Sequence, residues 1–130
     1  EVANTPSHGL ARILIAYIHL QHKEPDKGLP YAEEAVKLLP RLPLSHYVLG
    51  RLLFDAGQNT RSIDELESAQ RLRADEPKVY FALARAYAKA NRKADAEKAR
   101  ETFTRLSQKS DEDKAEALPN ENQPEKPPQP

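Results

Sequence analysis

The chain has 130 residues, 20 basic and 20 acidic, giving a formal net charge of zero, and it contains no Cys, Met or Trp. That length suits one domain. The lack of cysteine excludes disulfides, thiolate metal sites and cysteine nucleophiles. Neutrality gives no global pull toward nucleic acid or an acidic membrane, and no apolar run is long enough to span a bilayer.

The chain opens at Glu1, and it reads as a piece trimmed from something longer. Its 18 Ala and 16 Leu against 4 Val and 4 Ile favour helix over sheet. The first helix is predicted at about 8–22, where Leu10, Ile13, Leu14, Tyr17 and Ile18 recur at i, i+3, i+4, i+7 and i+8. Nine of the eleven residues in Leu10–Leu20 are apolar. Such a helix is normally buried, so Ile15 and Ile18, left toward the open end, are a candidate interface. Lys23–Asp26 reads as a turn, with Asp26 as N-cap of a second helix over 26–39. Pro40–Pro43 precedes a third over 43–56, and Gly57–Thr60 separates it from a fourth over 60–73. There Gly57 supplies the left-handed residue and Asn59 or Thr60 the cap. Asp75-Glu76-Pro77 starts a fifth helix over 76–90, and Asn91–Lys93 leads to a sixth over 93–109. Residues 111–130 hold five prolines and a net charge of −4, and read as a disordered, acidic, Pro-rich tail.

Slid on itself by 34 residues, the chain matches Pro43/Pro77, Leu49/Leu83, Arg51/Arg85, Ala56/Ala90, Glu67/Glu101 and Leu72/Leu106. The first helix aligns at an offset of 36, placing two extra residues in the turn around Pro25. A helix–turn–helix repeat of this period implies a stacked solenoid. His46-x-x-Leu49-Gly50-x-x-Leu53 with Ala69, and Tyr80-x-x-Leu83-Ala84-x-x-Tyr87 with Ala96, resemble the tetratricopeptide repeat (TPR) pattern. Leu10-x-x-Ile13-Leu14-x-x-Tyr17 is its weakest copy. The resemblance implies an all-α, right-handed α-solenoid of three antiparallel helix pairs at 7–42, 43–76 and 77–110. It also implies a non-enzymatic scaffold that takes a peptide or helix of a partner protein in a concave groove. The alternatives are a structural, capping or oligomerising end of a longer solenoid, or an accessory segment of a larger enzyme.

In such stacks the first helix of each pair lines the groove. The exposed side of those helices gives the candidate groove residues Tyr47, Arg51, Phe54, Asp55, Lys78, Phe81, Arg85 and Lys89. Tyr47/Arg51 and Phe81/Arg85 are expected as i, i+4 ring–guanidinium pairs. The clamp by which some TPR domains hold acidic chaperone tails would fall on Ala11, Ile15, Val48, Lys78 and Ala82, of which only Lys78 fits. No catalytic residue is expected. His19 and His22 lack a third metal ligand, the four glycines form no phosphate loop, and no cofactor is implied. The expected partners are a protein or peptide in the groove and, at the first helix, either upstream repeats or a second copy.

Overall fold

The computed structural model describes residues 6–117, with the backbone alone at Pro6. It is built from six helices: α1 (Pro6–Gln21), α2 (Pro25–Leu38), α3 (Pro43–Asp55), α4 (Asn59–Leu72), α5 (Pro77–Lys89) and α6 (Lys93–Ala117). Helix covers more than two thirds of residues 1–110, and there is no strand among the described residues.

The 34-residue period holds through all three helix pairs, and the offset of 36 for the first helix is corrected. Lys23, Gly57 and Asn91, spaced by 34, each take a positive φ, of 59°, 81° and 62°. After each of them a backbone N–H returns to a carbonyl five residues earlier: Glu24 to His19, Gln58 to Leu53 and Arg92 to Tyr87, all at 2.9 Å. These closures satisfy carbonyls that would otherwise end their helix unpaired. They also aim α2, α4 and α6 back along their partners. The N-cap positions belong to Glu24, Gln58 and Glu76, with no side-chain cap, rather than to Asp26 and to Asn59 or Thr60. The following turn repeats too. His46 Nε2 lies 2.6 Å from the Pro40 carbonyl, and 34 residues on the Tyr80 hydroxyl donates to the Ala74 carbonyl at 2.7 Å.

Within each pair the helices approach closely where one register position is small: Ala16, Gly50 and Ala84, all buried. At Gly50 a Cβ would sit 2.7 Å from Leu66 Cγ and 3.3 Å from its backbone nitrogen, and the Gly50 carbonyl accepts from Ser62 Oγ at 2.8 Å. Ile13, Leu20, Leu49, Leu52, Leu53, Leu66 and Leu83 fill the space between layers. Between units, α1 meets α3 and α3 meets α5, while α2, α4 and α6 make at most marginal contact with one another. The stack therefore curves, with α1, α3 and α5 on its inner side. Arg61 bridges α4 to Glu33 of α2 at 2.7 Å, and Arg12 bridges α1 to Glu34 at 2.8 Å.

Two further expectations change. In α1 the buried stripe is Ile13, Ala16 and Leu20, whereas Leu10, Leu14 and Tyr17 are exposed. At the other end α6 runs on to Ala117, through residues assigned to the tail. Asp111–Ala117 are compatible with helix, and the first breaker is Pro119. Residues 118–130 of that tail lie outside the described residues.

Two measurements follow from this geometry. Gly50→Ala should cost about 1–3 kcal/mol through overpacking against Leu66. Gly57→Ala, with open space around it but a positive φ, should cost about 1 kcal/mol through backbone strain. Gly57→Asn should cost less, because Asn91 already occupies the equivalent place. Urea midpoints read all three. The second concerns Tyr87, whose hydroxyl donates to Glu67 Oε2 at 2.6 Å. Burial first, and then that carboxylate, hold the phenol above its ordinary range. Its contribution is complete below the unfolded phenol's pKa of about 10 and is lost as pH rises beyond it. The alkaline fall in the urea midpoint should therefore be shallower in Tyr87→Phe.

Candidate functional site

The candidate groove residues come together on the inner side of α3 and α5, but not all in the expected pairs. Arg51 lies over the Tyr47 ring at 5.7 Å and donates from Nη1 to the Tyr47 hydroxyl at 2.8 Å, as i, i+4 spacing predicts. Lys78 of α5 approaches the same ring at 5.1 Å. Two helical turns further along α3, Phe54 carries a second pair: Arg85 at 4.9 Å and Lys89 at 5.2 Å from its centroid. Arg85 thus crosses to the neighbouring helix instead of resting on Phe81. Phe81 packs at 5.3 Å and 54° against Phe103 of α6, at a position where α2 and α4 have only Ala35 and Ala69.

Each ring–cation contact is worth about 0.5–1 kcal/mol at an exposed site. Their geometric effect is larger. Four cations from two units are held in two pairs over the Tyr47 and Phe54 rings, and Asp55 is the one acid among the eight candidate residues. Asp55 is half-buried, with Oδ2 enclosed and without a hydrogen-bond partner. Tyr47 is buried beneath its two cations, so an incoming group would meet the charges, not that ring. Phe81 is different: at 51% exposed it offers an apolar surface. It opens onto a cleft of about 970 Å³ that reaches from Tyr47 and Lys78 to Leu106 and Lys109 of α6. The length of α6 beyond residue 109 adds Asp113, Lys114 and Ala117 to that wall, which the sequence reading had left out of the helix.

The clamp positions fare as the sequence implied. Val48 and Ala82 are buried in the stack and present nothing to the cleft. Ile18 is exposed as expected, whereas Ile15 is half-buried. His19 stacks on Tyr31 with centroids 6.2 Å apart and lies 3.4 Å from Glu24. No cluster of three or more metal-ligating side chains occurs among the described residues. Glu65 Oε2 is paired with His46 Nδ1 at 2.7 Å. None of the described helices is long and apolar enough to cross a membrane.

A tetratricopeptide repeat family model matches residues 47–110, the second and third helix pairs. The chain is a TPR protein. Solved structures agree on the fold. A MamA mutant superposes with a TM-score of 0.73 at 23% identity, over 80% of this chain and 76% of that one. A second, a double mutant of MamA RS-1, gives 0.75 at 21%, over 82% and 60%. A chain of the CopN–Scc3 complex gives 0.72 at 19%, over 80% and 61%. The TPR protein thus spans about 60% of the latter two chains. Comparison with curated protein sequences gives no significant match.

Proposed function

We propose that this TPR protein is a protein–protein interaction module that holds an acidic segment of a partner along the inner face of α3 and α5. The observation that carries this reading is the doubled cation–ring arrangement, Arg51 and Lys78 on Tyr47, and Arg85 and Lys89 on Phe54. The rings hold the cations partly ordered before any ligand arrives, so less freedom is lost on binding. Carboxylates of a partner complete the charge, and the exposed Phe81 gives an apolar side chain somewhere to rest. A complex with another protein also appears among the structurally similar chains, in CopN–Scc3.

A second, structural reading, in which the chain only ends a solenoid, is favoured by the polar outer face of α6. There Glu97, Lys98, Arg100, Glu101, Thr104 and Arg105 are all exposed. Peptide binding separates the two. A display library panned against the protein should enrich acidic peptides that also carry an apolar residue. Their affinity should be in the micromolar range, about −8 kcal/mol, and weaken with salt. Arg85→Glu/Lys89→Glu, both exposed positions, should reduce that affinity tenfold or more while the helical spectrum is kept and stability falls only by the about 1–2 kcal/mol of the two lost ring contacts. No enrichment, or enrichment indifferent to the double variant, rejects the cleft as the binding site.

A further inference from the structure

The 34-residue register compares each end of the stack with its interior. Three positions on α3 hold Ser45, Val48 and Leu52, and the same three on α5 hold Val79, Ala82 and Ala86. None of the six is more than 6% exposed. Leu52 packs against Gly28 of the preceding pair. On α1 these positions fall to Ala11, Leu14 and Ile18. Ala11 is exposed, Leu14 is 62% exposed and Ile18 55%, because no pair stands in front of α1 among the described residues. Leu10 and Tyr17, at 47% and 40%, widen the patch. None of these five residues carries a charge.

The opposite end is closed. Leu29, Ala32 and Val36 of α2, and Ile63, Leu66 and Gln70 of α4, have Glu97, Arg100 and Thr104 as their counterparts in α6, all exposed. A copy stacked head to tail would press an apolar α1 face onto a carboxylate and a guanidinium, stripping both of water with nothing in return. Of the two ends that this chain presents, only α1 offers an apolar face to another α1.

We propose that two copies of the chain pair through α1, antiparallel, across a two-fold axis at Leu14. In that register residue i faces residue 28 − i of the other copy. Leu14 then meets Leu14, Leu10 meets Ile18, and small Ala11 faces large Tyr17. The contact is self-complementary, as a two-fold interface must be, and it alternates small with large as packed layers do. It uses far fewer residues than the roughly 20–30 a side of standard interfaces, so the dimer is weak and concentration-dependent. The face lies on α1 and includes none of the four cations of α3 and α5, so its test is distinct from that of the peptide site.

Sedimentation equilibrium of the 130-residue chain should show the weight-average mass rising from 14.7 kDa toward twice that value between micromolar and millimolar concentration. Leu14→Glu sets two like charges together at the axis. It should stay at the monomer mass with an unchanged thermal melt, since Leu14 is mostly exposed in the single chain. The register has its own readout, because the chain has no native cysteine. A short bis-maleimide should join Leu14→Cys to itself and Leu10→Cys to Ile18→Cys. It should not join Leu10→Cys to itself, as those residues lie about 12 Å apart along the axis. A mass that stays at 14.7 kDa throughout overturns the proposal. So does cross-linking of Leu14→Cys to Glu97→Cys, the head-to-tail arrangement.

Discussion

The structure depends on one close approach made three times. At Ala16, Gly50 and Ala84 the inner helix of each pair has little or no side chain, and its partner settles against the backbone. Once that distance is fixed, the left-handed residue at Lys23, Gly57 or Asn91 sets the direction of the return helix. The next inner helix then packs on both members of the pair before it. Because α1, α3 and α5 touch in series and the outer helices hardly do, the inner side is compressed and the outer side splayed. Curvature, and the cleft that comes with it, is a packing consequence of small residues at one position in 34.

The register also explains what the sequence disclosed and what it hid. Helical period, six segments and the turn at Gly57 were legible because each rests on local chemistry: apolar spacing, proline, and a glycine free to take positive φ. The first helix misled because apolar residues were taken as inward. Leu10, Leu14 and Tyr17 form a tidy stripe, yet that stripe faces outward, and the buried one is Ile13, Ala16 and Leu20. Aligning the wrong stripe with the later units produced the spurious offset of 36. Hydrophobicity alone does not say which face a helix buries when both faces are apolar. The position of the small residue, Ala16 against Gly50, would have decided it.

Side-chain partners across units were the other blind spot. Spacing of i, i+4 foretold Tyr47 with Arg51 and could not foretell Arg85 over Phe54, since that contact depends on how α5 lies against α3. Phe103 is the reason Phe81 was free to turn away from Arg85: where α2 and α4 have alanine at that register position, α6 brings a ring. Likewise α6 outran its expected end because the Pro-rich composition of the last twenty residues was averaged over a stretch whose first seven have no breaker.

Function enters this fold by changing what fills fixed positions. Ile13 and Leu20 of α1 are core residues. Their counterparts on α3, Tyr47 and Phe54, are aromatic and take cations on their faces. The positions of Lys78 and Arg85 on α5 are Leu44 and Arg51 on α3, and Leu10 and Tyr17 on α1. Charge on the inner face therefore grows from none on α1 to its maximum on α5, while exposed apolar area at the first pair's open face falls to none at the matching positions of α3 and α5. The same 34-residue scaffold thus exposes an apolar face at one end and cations toward the other, with the polar α6 closing it. A ligand that recognises carboxylate-binding groups has no reason to engage α1, and an apolar helix has no reason to engage α5 between its cations. The two surfaces are chemically orthogonal, so under the proposed reading each would take its own kind of neighbour.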